Sequence, residues 1–217
     1  MRKLLGLILL AGVLVGCNQK SAVSGECVIK GTVGNKMLEG KRIFLVPMYG
    51  PKDSAHVDSV EIKDGKFEFH KDTVMLAKIL LDYRYRFNTQ ILLVVTDPGT
   101  VEVSIDSVSS AKGTPQNNVL QRWKEMTEVH NSQMGFMRSN LNEALQNGDS
   151  LRAKSLKHHG DSIHIAYKQA SRKLVAGLED CVVKEFIGGM FPLTYERQMP
   201  DGAVITMDAD TNEPIKK

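Results

Sequence analysis

The chain has 217 residues, 24% charged and 42% hydrophobic, with 28 Lys plus Arg against 25 Asp plus Glu. That is enough polymer to bury a core as one or two domains. A formal net charge of +3 without a basic stripe gives no footing to a nucleic-acid partner, and there is no acidic tail to gather cations. Three cysteines without a Cys-x-x-Cys pair exclude a dithiol redox site in this chain.

The N-terminus carries an ordered signal. Arg2 and Lys3 form a basic n-region, Leu4 to Val15 is almost wholly apolar, and small Gly16 precedes Cys17. Twelve apolar residues suit a signal h-region and fall short of the roughly 20 that cross a bilayer core. No Ala-x-Ala-like site offers ordinary secretory cleavage. Residues 1–16 therefore read as a lipoprotein signal peptide, with Cys17 lipidated (palmitate among its acyl chains) as the first mature residue. Each buried methylene contributes about 0.8 kcal/mol, so several acyl chains hold where one would not. Loss of Arg2 and Lys3 leaves a mature net charge of about +1. The expected setting is the bacterial cell envelope. Asn18, rather than Asp, after Cys17 points to the outer membrane, facing the periplasm.

Residues 17–26 are small and polar and read as a tether. From Cys27 to residue 110 the pattern is β, with apolar or alternating runs at the spacing of a sandwich or barrel. The runs are Cys27–Val33, Arg42–Met48, a hairpin within Val57–Phe69, Met75–Leu81, Gln90–Thr96 and the alternating Val101, Val103 and Ile105. Asp64-Gly65 predicts a type I′ turn that places Ile62 opposite Phe67 and Val60 opposite Phe69. The expectation is an antiparallel β-sandwich of about seven strands.

The period changes at Gly113. Thr114 suits an N-cap and Pro115 a first helical position. Leu120, Trp123, Met126, His130, Met134, Met137, Leu141 and Leu145 then recur at helical steps. Asn147-Gly148-Asp149-Ser150 breaks the helix and caps a second one, whose stripe runs from Leu156 to Ile187. Residues 113–187 thus predict a long antiparallel helical hairpin, and the fold class is α+β. Residues 188–217 lose periodicity and read as an irregular tail.

Candidate functional residues are few. Cys27 and Cys181 remain once Cys17 is lipidated; they either pair as a disulfide or stay free thiols, Cys181 packing as a small core residue. Tyr83, Arg84, Tyr85, Arg86 and Phe87 alternate aromatic and basic side chains, as a binding rim would, or as a strand end packs its aromatics and solvates its arginines. His159 and His164 stand five apart, off the i, i+4 spacing of a helical zinc pair, so no metal or other cofactor is expected. Lys30-Gly31-Thr32-Val33-Gly34 lacks a phosphate-loop pattern and reads as a strand bend. There is no Gly-x-Ser-x-Gly elbow, and nothing picks out a catalytic constellation.

A resemblance rests on ordered motifs: Lys30-Gly31-Thr32-Val33-Gly34, Gly40-Lys41-Arg42-Ile43-Phe44-Leu45, Asp58-Ser59-Val60 and Asp64-Gly65-Lys66-Phe67-Glu68-Phe69. Asp97-Pro98-Gly99-Thr100-Val101 and Gly113-Thr114-Pro115-Gln116-Asn117 continue the series. Residues 27–187 resemble an N-terminal domain of unknown function found in envelope lipoproteins ahead of thioredoxin-like (TlpA/ResA-type) thiol–disulfide oxidoreductases. This chain carries no thioredoxin segment after the shared part, so the redox activity of longer relatives does not transfer.

The expected function is a lipid-anchored, non-catalytic interaction or accessory module in the bacterial envelope. Its expected partners are the membrane, through the lipid, and another envelope protein, not nucleic acid. Two alternatives stand beside it: a periplasmic small-ligand or glycan binding protein using Tyr83–Phe87, and a helper of a separate thioredoxin-like oxidoreductase working through Cys27 or Cys181.

Overall fold

A computed structural model describes residues 25–81, 92–200 and 202–215. Among them are ten strands and three α-helices, an α+β arrangement as the periodicity implies. The strands are β1 (Cys27–Val33), β2 (Arg42–Pro47), β3 (Asp58–Glu61), β4 (Lys66–Lys71), β5 (Leu76–Leu81), β6 (Leu92–Val95), β7 (Gly99–Ile105), β8 (Ser110–Lys112), β9 (Thr194–Gln198) and β10 (Val204–Asp208). The helices are α1 (Pro115–Gln146), α2 (Ser150–Ala176) and α3 (Val182–Met190).

Eight strands form two four-stranded sheets, ordered β4-β1-β7-β8 (sheet A) and β3-β2-β5-β6 (sheet B). Sheet A is not wholly antiparallel, as β1 and β7 run parallel from Cys27↔Gly99 to Val33↔Ile105. Parallel neighbours need a long crossover, and here the intervening strands, most of them in the opposite sheet, supply it. Ile29, Phe69, Val101 and Val103 of sheet A share one buried cluster with Ile43, Leu45, Ile79 and Val94 of sheet B. The packing is consistent with the expected sandwich. Gly31 is required by it: a Cβ there would fall 1.9 Å from the Phe67 ring.

The Asp64-Gly65 turn forms as its chemistry dictates, with φ of 53° and 67° and a bridge between Lys63 and Lys66. The ladder does not continue past that bridge. β3 departs to β2, pairing Val60 with Ile43, and β4 departs to β1, pairing Phe69 with Ile29. The expected Val60–Phe69 pair is therefore replaced by a corner between sheets. Positive φ at two residues fixes the reversal, whereas distant partners decide which sheet each arm joins.

The outer face of sheet B is covered. Leu76 and Val95 pack with Leu120 and Trp123 of α1, Val175 of α2, and Val183 and Ile187 of α3 in a second core. Asn117 joins α1 to the sheet edge: its Oδ1 accepts from Val95 N at 2.9 Å and its Nδ2 donates to Val95 O at 2.7 Å. The same Nδ2 reaches the Thr114 hydroxyl at 2.7 Å. One turn on, Gln121 Oε1 accepts from Ala111 N in β8 at 3.1 Å. One helix thus satisfies edge groups of both sheets.

Contacts between α1 and α2 run in opposite order: Thr127 with Tyr167, His130 with His164, and Glu143 with Arg152. Asp149 caps α2 by accepting from Arg152 N at 2.9 Å. The second helix does not reach residue 187. It closes at Ala176 before Gly177, and Cys181 adopts an extended N-cap (φ −156°) that starts a separate α3. The break lets Val183 and Ile187 turn into the second core.

The tail is not irregular either. β9 and β10 pair from Gln198↔Val204 to Thr194↔Asp208, and Met207 is buried. Asp210, just beyond β10, takes a bidentate bond from Arg172 of α2 at 2.7 and 2.8 Å and a contact from Lys168 at 3.0 Å. Arg172 also donates to the Phe191 and Pro192 carbonyls. These long-range partners order a segment whose composition alone suggests none.

Asn117→Ala leaves the Val95 N–H and C=O unpaired in a buried place, at about 1–3 kcal/mol per orphaned group. We expect a clear fall in the urea midpoint of the variant. Asp210→Asn is expected to cost about 1–3 kcal/mol at neutral pH through the loss of charged hydrogen bonds. The Arg172 guanidinium holds the Asp210 carboxyl well below the usual carboxylate range. A depressed folded-state value contributes stability above the unfolded value of about 3.9, lost as pH falls toward the folded one. The gap between wild type and D210N in urea unfolding should therefore hold from pH 7 to about pH 5 and shrink below about pH 4.

Candidate functional site

The side of sheet A turned away from the core is not covered by the helices. Along β1 the inward residues Cys27, Ile29, Gly31 and Val33 alternate with outward Val28, Lys30 and Thr32. Strand register converts that alternation into rows. Glu68, Lys30, Glu102 and Lys112 lie side by side across all four strands, alternating in sign. Beside them run Lys66, Thr32, Ser104 and Ser110, and on the other side His70, Val28 and Thr100. Opposite charges across neighbouring strands contribute about 0.2–1 kcal/mol per pair, so the rows support the sheet as well as decorate it.

The face forms an open groove of about 760 Å3, with Glu61 and Lys63 of the β3–β4 corner as one wall. Among the described residues, Lys30, Glu102 and Lys112 make no ion pair. Glu68 is engaged: His70 sits between Glu68 and Glu26, each 2.7 Å away, and these carboxylates raise the His70 pKa. Thr32 donates to the Val103 carbonyl at 3.4 Å and Ser104 to Asp106 at 3.2 Å. The two sides of the groove nearly balance in charge. The chemistry of such a surface is that of polar contacts rather than of apolar burial.

Of the predicted site residues, the structure describes two, Cys27 and Cys181, and it places them in different packed clusters. Cys17 and Tyr83, Arg84, Tyr85 and Arg86 lie outside the described residues. Cys27 and Cys181 are free thiols. Cys27 is wholly buried in the core between the sheets, and Cys181 packs half-buried at the second core. Burial, then the charges of Asp97 and Glu26, push the Cys27 thiol up to about 11. A thiol held protonated is a poor nucleophile at neutral pH.

His164 meets not His159 but His130 on α1, with Nδ1 and Nε2 3.3 Å apart. The His130 ring stacks on Tyr167 at 4.2 Å between centroids, and the Tyr167 hydroxyl bonds Thr127 at 2.7 Å. Burial, and then the nearby His130 and Lys168, lower the His164 pKa. His130 and Tyr167 were visible as members of the two helical stripes, but their mutual register was not. Among the described residues, no three His, Cys, Asp or Glu side chains gather as a metal site, and no helix is long and apolar enough to cross a membrane.

The fold and face describe a two-sheet α+β protein with one sheet packed under helices and the outer face of the other left exposed. Residues 27–120, which include both sheets and the start of α1, match the model of a family described as a domain of unknown function, DUF4369. No curated protein and no solved structure matches the chain.

Iodoacetamide at pH 7 should modify Cys181 readily in the native protein and Cys27 only after unfolding. Mass spectrometry of the two cysteine peptides checks this, and equal labelling of both would show that Cys27 is neither buried nor protonated as described.

Proposed function

We propose that the chain is a lipid-anchored bacterial envelope protein acting as a non-catalytic interaction or accessory module. Its body is a β-sandwich joined to an antiparallel helical hairpin, and Cys17 carries the lipid after removal of residues 1–16. The proposed location is the outer membrane, facing the periplasm, and the proposed partner is another envelope protein. The observation that carries the reading is the uncovered Glu68–Lys30–Glu102–Lys112 row, which spans sheet A within the family-matched segment. A surface of alternating fixed charges selects partners through complementary potential and disfavours like-charged ones.

The redox-helper alternative draws no support from Cys27, whose raised thiol value leaves little thiolate. The small-ligand or glycan alternative rests on Tyr83–Phe87, which lies outside the described residues.

Fractionation of cells carrying Cys17→Ala tests the anchor: the variant should leave the membrane fraction, and its retention there would remove the lipid reading. A photo-crosslinker at Glu102 in the lipidated protein should capture one dominant envelope protein. The double substitution Lys30→Gln/Lys112→Gln should abolish that adduct while costing only about 0.2–1 kcal/mol for each cross-strand charge pair removed, a loss that leaves the protein folded. No protein adduct above background would sink the interaction module.

A further inference from the structure

A second surface has the opposite chemistry. A groove of about 560 Å3 runs beside α3, lined by Tyr49, Met75, Val182, Phe186 and Met190, with Glu185 at its rim. α3 carries two apolar stripes. Val183 and Ile187 are buried in the second core; Val182, Phe186 and Met190, at steps of four, line the groove, with Val182 and Phe186 also packing against that core. Tyr49 is 66% exposed and Met190 50%. Val74, next to Met75, and Leu193, three residues after Met190, are exposed as well. Large exposed apolar side chains that line one groove, as Tyr49 and Met190 do, mark a contact surface rather than scattered surface hydrophobics.

The place of this groove in the fold points to its occupant. Gly25, where the described chain begins, lies against Pro98. Two residues before Pro98, Thr96 N donates to the carbonyl of Met75, the groove's own residue. Asp97 binds Gln116, and Gln116 Oε1 accepts from Val183 N at the start of α3. The tether and the groove therefore share one end of the molecule. Eight residue steps separate Cys17 from Gly25, a reach of at most about 28 Å. A lipid on Cys17 holds this end near the bilayer. Val108, 64% exposed, follows β7 at the Val33–Ile105 end of sheet A and faces the other way.

We infer that the groove beside α3 rests on the lipid surface, with Tyr49 and Met190 seated at the headgroup–acyl boundary. The inference rests on the lipid-anchor reading of Cys17. An aromatic ring with a polar tip suits that boundary, and Glu185 suits the ammonium of a zwitterionic headgroup. Resting this end on the bilayer leaves the charged rows of sheet A open to a protein partner.

The test uses the full lipidated chain in vesicles of phosphatidylethanolamine and phosphatidylcholine bearing brominated acyl chains. Trp123, the sole and buried tryptophan, serves as a constant background. Bromine should quench the added emission of Tyr49→Trp at least about twofold more than that of Val108→Trp, because only the first meets acyl carbon. Met190→Asp should bring the Tyr49→Trp signal toward the Val108→Trp level. Equal quenching at the two positions, or none at Tyr49→Trp in a chain that floats with the vesicles, overturns the groove assignment and leaves the anchor standing. A chain that fails to float removes the anchor, and the groove assignment falls with it. A protein seated in the groove would leave Tyr49→Trp unquenched, which is also an overturning result.

Discussion

The paired hydrogen bonds between the Asn117 side chain and Val95 hold the two halves of this protein together. An edge strand presents N–H and C=O groups that water or another strand must satisfy. β6 is the edge of sheet B, and Val95 is fully buried, so water is not available to it. The primary amide of Asn117 offers one acceptor and two donors and substitutes for a neighbouring strand. Because Asn117 sits in the first turn of α1, satisfying the strand also fixes where the helix begins. Trp123 and Leu120 then fall on the outer face of sheet B, and the second core can close.

The asymmetry of the two sheets follows. Sheet B spends its outer face on the helices, so it serves packing. Sheet A keeps its outer face free, and its alternating charges are compatible with water and with a polar partner. α3 extends the helical cover, and Val182, Phe186 and Met190 leave part of its apolar surface lining a groove beside it. Polar and apolar exposed surface thereby fall on different parts of the molecule. Arg172 performs a joining role at the far end of the chain, tying α2 to the end of α3 and to the β9–β10 hairpin through carbonyls and Asp210. A two-stranded hairpin is marginal alone in water, and such ties order it.

Cysteine chemistry narrows in the folded state. The sequence leaves Cys27 and Cys181 open as a disulfide or as free thiols, with Cys181 on the apolar stripe of a helix. The fold separates them into different packed clusters, each dominated by aliphatic and aromatic neighbours. Cys27 begins β1 with its side chain on the inward row, where desolvation disfavours the thiolate.

Local chemistry in the sequence determined the elements that local chemistry governs. Asp64-Gly65 specified its turn, Thr114-Pro115 the start of α1, Asp149 the cap of α2, and alternation the inward face of β1 and β7. These depend on backbone preferences and on period, both carried by neighbouring residues. Tertiary structure decided what depends on distant partners: the parallel pairing of β1 with β7, the corner that divides β3 from β4, the break before α3, and the β9–β10 hairpin. The charged rows of sheet A belong to the second group. Lys30, Glu68, Glu102 and Lys112 are unremarked alternating polar positions along the chain, and only strand register makes them one surface. The N-terminal pattern ending at Cys17 belongs wholly to the sequence, because its order of basic, apolar and small residues is linear chemistry that depends on no distant partner.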